Sequence, residues 1–317
     1  MAKKIKSGNG ISKYNRNKYI WAYIFILPQI IVFFGFSLYP IVMSYVYSFY
    51  DWSGIGPLTN FVGLKNYTRI LTESSFWNAF GNTFVYTAGF TVVSISVALI
   101  LALVLNNPNL KGRGIYRTVY FLPVVTTMAI IGIVMQNIFG TQGFFNEFLK
   151  AIGLIDQSIS WLSNPILAMI LLIIIGSWKE IGITMIYWLT GLQMIPREVY
   201  EAARIDGAGS WQTLRYITLP LLKPIGATIL LLTVVSSMRV FDLVKTLTEG
   251  GPYFATETLE LYIYRFAFAP DGPSQVGFAS AAGVVLGLTV FIISLLLGWV
   301  VYKVSGQKRK PLGGGIK

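Results

Sequence analysis

The chain has 317 residues, of which 54% are hydrophobic and only 12% charged, and its mean hydropathy is +0.63. Soluble domains carry about 25% charged residues, so neither a soluble core nor a disordered chain accommodates this composition, and the sequence reads as an all-α integral membrane protein. With no Cys and no His it has no thiol nucleophile, disulfide framework, Ser-His-Asp triad or His-ligated metal. No Gly-Lys dipeptide occurs, which excludes a P-loop. The net charge of +12 is assigned to basic loops on one face of a membrane, not to nucleic acid.

Uncharged stretches of the length a bilayer requires predict six transmembrane helices, near 20–49, 79–106, 117–140, 164–190, 224–246 and 276–303. The fourth runs through Lys179 and Glu180 and the fifth through Arg239. The chain divides into a basic cytoplasmic segment at 1–18, a six-helix transmembrane region at 19–303 and a tail at 304–317, expected to be disordered around Gly313-Gly314-Gly315. The first apolar stretch is far longer than the core of a signal peptide, and no small-residue cleavage site follows it. The N-terminal segment, the second and fourth loops and the tail together carry 18 Lys and Arg, against 5 on the alternate loops. Both termini are therefore placed in the cytoplasm. The external loops, with Trp52, Tyr67, Trp77, Trp161 and Tyr253, are expected to be ordered at the interface.

The fourth loop, 192–224, has helix-forming logic. Pro196 suits a first helical turn, and Glu198 and Glu201 suit its positive end. A helix over 197–205 would stop at Gly207, a second would start with Ser210 as N-cap, and Pro220 would bend the chain toward the fifth span.

Glu201-Ala202-Ala203, three residues, Gly207, nine residues, Ile217, one residue and Leu219-Pro220 resemble the EAA loop of binding-protein-dependent ABC importer permeases. Leu27-Pro28, Tyr39-Pro40, the segment Phe61–Tyr67, Phe121-Leu122-Pro123, Ile205-Asp206-Gly207-Ala208 and Thr248–Pro252 resemble the carbohydrate-uptake branch, and the last two resemble its MalF-like partner more than its MalG-like one. The resemblance spans about residues 20–303, although the first external loop lacks the large extra domain of the best-known MalF. It implies that Glu201, Ala202, Ala203, Asp206, Gly207, Ile217, Leu219 and Pro220 form or support a coupling helix seated on a cytoplasmic ATPase. It also implies a sister permease, two ATPase subunits, an external solute-binding protein and a sugar as solute. No cofactor is expected in this chain, ATP and Mg belonging to the ATPase, and the setting is the lipid of a bacterial or archaeal cytoplasmic membrane.

Charges inside a span are costly, and are candidates for function. Lys179 and Glu180, with Trp178, Tyr187 and Trp188 as aromatic faces, are candidates for the solute pathway; a structural ion pair or a snorkelling Lys179 is the plainer reading. Arg239 and Asp242, three apart on one helix, either pair with each other or face the pathway, and Arg239 and Lys179 are not expected to touch. Ala279, Gly283 and Gly287 form a small-residue stripe suited to close helix packing. A permease for a polyamine or phosphate, and a secondary transporter or channel, are the competing functions. The scarcity of charge in the spans favours sugar over the former, and the absence of an evident repeat or filter disfavours the latter.

Overall fold

The protein is described from a computed structural model that covers residues 13–268 and 272–306. The expectations placed on residues 1–12, on 269–271 and on the tail from 307 lie outside the described residues. Within them, six helical stretches are long and apolar enough to cross a bilayer: Lys18–Tyr47, Ser74–Leu105, Met128–Ala151, Pro165–Gln193, Ser210–Ser237 and Val276–Gly306.

The first span is built from α1 (Lys13–Val32), a π-turn (Phe33–Leu38) and α2 (Tyr39–Tyr47). Pro40 has no N–H and its ring crowds the carbonyl four residues back, so the turn before it widens. The Tyr39 N–H accordingly reaches Phe34 O. At the C-terminal end of this span, α3 (Lys65–Thr72) carries a clasp drawn from the Phe61–Tyr67 segment. Asn66 Nδ2 donates to Ser48 O at 2.9 Å and Tyr50 O at 3.0 Å, and the Tyr67 hydroxyl lies 2.7 Å from Ser48 Oγ. The two Asn66 bonds serve carbonyls just past the end of α2, which the helix itself leaves without partners.

The second span is α4 (Ser74–Leu105). The third, expected as one helix over 117–140, is broken. It comprises α5 (Arg113–Phe121), a 3-10 turn at Leu122–Val125 and α6 (Met128–Phe139), followed by α7 (Phe144–Ala151). Pro123 and the β-branched run Val124–Thr127 both disfavour a continuous helix, and Thr126 and Thr127 are extended. The fourth span, α8 (Pro165–Gln193), starts where expected, with Asn164 Oδ1 accepting from the N–H groups of Ile166 and Leu167 and Pro165 in the first turn. Next come α9 (Arg197–Ile205), α10 (Ser210–Thr213), a second π-turn at Leu214–Thr218 and α11 (Leu219–Ser237). The fifth span therefore starts at Ser210, not 224, and ends before Arg239. Beyond it lie α12 (Asp242–Leu247), α13 (Leu259–Ala267) and the sixth span α14 (Val276–Gly306).

The parallel pair α4–α8 forms the centre, with α11 against both and α14 against α11, α13 and α2. One apolar cluster joins α4, α8 and α11 around Ala98, Ala102, Met185, Leu189 and Leu222. A second joins α4, α6, α8 and α12 around Phe90, Leu172, Ile175 and Leu243, and a third lies between α3, α4, α13 and α14. The small-residue stripe on α14 divides. Ala279 is buried, whereas the sites of Gly283 and Gly287 face open space.

The segment between α12 and α14 is firmly tied. Asn78 and Asn82 hydrogen-bond the Phe254 and Glu257 carbonyls, and Thr83 Oγ1 accepts from Leu259 N at 2.9 Å. Glu257 is 1% exposed and pairs bidentately with Arg265, at 2.7 and 3.1 Å. Burial pushes the Glu257 carboxyl above its ordinary range, opposed by the hydrogen bond and charge of Arg265.

Candidate functional site

The hairpin α9–α10 lies between the fourth and fifth spans. Pro196 precedes the first helical residue, where its extended ψ of 141° sets the entry, so it acts one position earlier than expected. At the other end, the Ala208 N–H reaches Ala203 O (2.9 Å) and the Gly207 N–H reaches Arg204 O (3.1 Å). This paired closure requires a left-handed residue at its corner, and Gly207 supplies it with φ +77°. The next cap is Gly209, not Ser210. The Gly209 N–H is taken by Gln212 Oε1 at 2.9 Å, and Ser210 is the first helical residue. Helix continues past Pro220. The π-turn ahead of it, with Leu219 N–H on Leu214 O, absorbs the missing N–H and lets helix run on into the fifth span.

The hairpin is fixed to the spans on one side and open on the other. Ala203 is 5% exposed, and Val199 and Tyr200 pack on the α4–α8–α11 cluster. Glu201, Ala202, Asp206 and Gly207 are exposed, as are the apolar Ile205 and Trp211 at 85% and 69%. Of the two alanines expected to meet a partner, Ala202 faces outward and Ala203 inward. Ile217 is half-buried, Leu219 is on the exposed border, and with Pro220 they build the π-turn and first turn of α11 that support the hairpin. The amphipathic pattern of 197–205 was the signal for Val199 and Tyr200 as anchors and for Ile205 as an exposed apolar residue; only Glu-Ala-Ala was singled out from it.

Further into the membrane, Glu180, Tyr86, Ser236, Ser237, Arg239 and Asp242 line a cavity of about 140 Å³. Arg239 sits in the turn after α11 and Asp242 opens α12, so the single helix that would have put them on one face does not exist. Arg239 approaches Glu260 instead, at 3.9 Å. No ion pair of Lys179 or Glu180 occurs among the described residues, and none joins Lys179 to Arg239. Trp178 and Tyr187 are exposed on α8, at 44% and 39%. Trp188 is turned away from them. It is 5% exposed, and its ring lies against Gly226 of α11, which places it in the core. The exposed side of α8 reads Ile166, Ile170, Ile174 and Trp178, then Ile186 and Tyr187, with the half-buried Lys179 and Glu180 between them. No group of acidic side chains suited to a metal occurs among the described residues.

Six apolar crossings, a firmly seated surface hairpin between the fourth and fifth, and a small polar cavity opening beside an uncovered helix face define a polytopic membrane transport subunit. The family described as binding-protein-dependent transport system inner membrane component matches residues 94–306, and the chain belongs to that family. Among curated proteins it is 38% identical to the lactose transport system permease protein LacF of Rhizobium radiobacter, over 86% of this chain and 91% of that one. It is 34% identical to the trehalose/maltose transport system permease protein MalF of Thermococcus litoralis, over 90% and 94%. The fold matches a chain of a bacterial alginate ABC transporter, solved in complex with a periplasmic protein bound to an alginate pentasaccharide. That match has a TM-score of 0.80 and 23% identity, over 93% of this chain and 99% of that one.

Proposed function

We propose that the chain is one of two permease subunits of an ATP-driven importer for a sugar or oligosaccharide. It performs no covalent chemistry, and ATP and Mg are handled by two copies of a separate ATPase. The carrying observation is the α9–α10 hairpin, locked by Ala203, Val199 and Tyr200 to the central spans and presenting Glu201, Ala202, Ile205 and Trp211 outward. A push on that surface reaches α4, α8 and α11 as a rigid body, which is the property a coupling helix needs.

A sister permease completes the pathway. The apolar window of the first span has no buried residue in this chain, and the cavity of about 140 Å³ at Glu180 is smaller than the 300 Å³ or more of an ordinary ligand site. The exposed stripe of α8 carries Trp178, Lys179, Glu180 and Tyr187 toward that interface; Trp188 is not part of it. Hydroxyls, a guanidinium and carboxylates beside an aromatic suit a polyhydroxyl solute, and the lactose and trehalose/maltose relatives support the class. An external binding protein delivers the solute.

The distribution of Lys and Arg supports an orientation with both termini and the hairpin in the cytoplasm. Because the chain has no cysteine, Leu64→Cys and Lys111→Cys test it with an impermeant maleimide on intact cells. Labelling at 64 alone is expected, and labelling at 111 alone contradicts the orientation. The function is tested by reconstituting the chain with its co-purifying subunits in liposomes, with ATP on the hairpin side and labelled disaccharide on its binding protein opposite. Uptake requiring both is expected; uptake driven by an ion gradient without ATP contradicts the reading.

A further inference from the structure

A cavity of about 490 Å³ opens where the inner ends of α4 and α8 meet the starts of α5 and α9. Arg113, Arg117 and Arg197 line it, with Gln193, Tyr200 and Leu192 among the other walls, and no carboxylate does. None of the three arginines takes part in an ion pair among the described residues. Arg117 is held in place, since its Nη2 donates to Leu105 O at 2.9 Å, at the carbonyl end of α4. Its Nε is buried with no hydrogen-bond partner. Leaving such a donor unmet costs about 1–3 kcal/mol, and three cations around one cavity without a counter-charge repel one another.

We infer that this cavity binds a phosphate-bearing anion at the inner membrane interface. The planar guanidinium matches phosphate oxygens bidentately, and the pinned Arg117 presents its fork without further loss of freedom. The mixed lining is the second reason. Leu192 and the Tyr200 ring offer an apolar wall beside the cations, suited to the first methylenes of a lipid's acyl chain. Basic pockets between spans on the cytoplasmic side attract anionic lipids, and the leaflet there is itself negative. A soluble phosphate ester carries the same chemistry, and the test separates the two sources. Arg197 and Tyr200 belong to α9, Arg113 to α5, and Tyr200 is also joined to Thr218 of the π-turn through their hydroxyls at 3.4 Å. A bound anion therefore ties the coupling helix to α5 at the start of the third span. The leaflet rests on the proposed orientation; the binding itself does not.

The experiment uses the full chain with its co-purifying subunits, delipidated in detergent. Retention of added phosphatidylglycerol and phosphatidylcholine is read by native mass spectrometry. Phosphatidylglycerol is expected to bind at least tenfold more tightly. Arg113→Gln with Arg197→Gln, both at exposed positions, is expected to remove that preference, and Lys at both positions to restore part of it. A circular dichroism melt shows that the pair of substitutions leaves the fold intact, which Arg117→Gln, with its bond to Leu105, does not guarantee. Displacement of the lipid by millimolar glycerol 3-phosphate or inorganic phosphate makes the soluble ester the ligand and upholds the site. Equal retention of both lipids with no phosphate binding, or a preference unchanged by the substitutions, overturns it. Release of the ATPase by the substitutions with lipid retention unaltered also overturns it, because the arginines then serve a protein contact. Failure of the uptake assay leaves this readout untouched, so the two readings fail separately.

Discussion

Replacing Gly207 with Val isolates the geometry of the hairpin from its chemistry. Gly207 has φ +77° and no atom within 4 Å of where a Cβ would stand, so the cost of a side chain there is one of backbone alone. A left-handed conformation costs an ordinary L-residue about 1–2 kcal/mol, and a β-branched one more. At about 2 kcal/mol the native corner loses a factor of about 30 against alternatives with negative φ. Those alternatives break the Ala208–Ala203 and Gly207–Arg204 bonds and swing α9 away from its angle to α10. The two ends of the hairpin remain tied to the spans, so the protein stays folded while Glu201 and Ile205 are re-aimed. Membrane abundance, ATPase retention on purification and sugar uptake are measured for Gly207→Asn, Gly207→Asp, Gly207→Ala and Gly207→Val. Retention and uptake are expected to fall in that order, with Asn nearest the parent because it tolerates positive φ, and abundance to stay level. If Val retains the ATPase as well as Asn does, or abundance falls while retention per molecule holds, the coupling role of this corner is refuted.

Two further outcomes follow from the packing. Arg265→Met leaves the Glu257 carboxylate without its cation; Glu257 already has a raised pKa, so the stabilisation is present below the ordinary carboxylate range and is lost as pH rises through the folded-state value. The melting temperature of the variant is expected to fall further below the parent at pH 8 than at pH 5, and an equal loss at both contradicts the assignment. Gly226→Val puts a Cβ 2.8 Å from the Trp188 ring, so an overpacking loss of about 1–3 kcal/mol is expected in thermal unfolding, and an unchanged midpoint would show that Trp188 is free to move.

The number of spans was legible because each crossing is a long uncharged stretch, and hydrophobic length is what a bilayer selects. The breaks were less so. Phe121-Leu122-Pro123 read as the opening of a span, whereas Pro123 and the branched residues after it interrupt one. The fifth span looked short at its inner end because Arg215 and Lys223 lower the hydropathy there, although the helix continues through both. Its outer end was overrun because Val240, Phe241, Leu243 and Val244 continue the apolar pattern around Asp242 after the chain has turned, and Val240, Leu243 and Val244 are buried in the cluster shared with α6 and α8. That turn is also why Arg239 faces Glu260 and not Asp242. In the hairpin, the order Glu-Ala-Ala, Gly, Leu-Pro picked out the candidate segment, and the stop at Gly207 followed from its conformational freedom. Which alanine faced inward, and that Gly209 with Gln212 forms the second cap, depended on the packing of α9 on the spans. Trp188 looked like an aromatic face for a sugar because composition does not say which side of α8 it occupies. Arg113, Arg117 and Arg197 counted only toward topology; their shared cavity arises from loops that are distant in sequence.

The central claim is that α9 is where an ATPase drives this chain. Glu201→Cys and Ile205→Cys, each in the naturally cysteine-free chain, place a thiol on the outward side of that helix; Leu64→Cys, at the opposite end of the spans, is the control. With a short bifunctional maleimide applied to the assembled complex, cross-links from 201 and 205 to the ATPase are expected, changing in yield when ATP is bound, and none from 64. An assembled complex in which neither 201 nor 205 cross-links to the ATPase, or in which 64 does, contradicts the account.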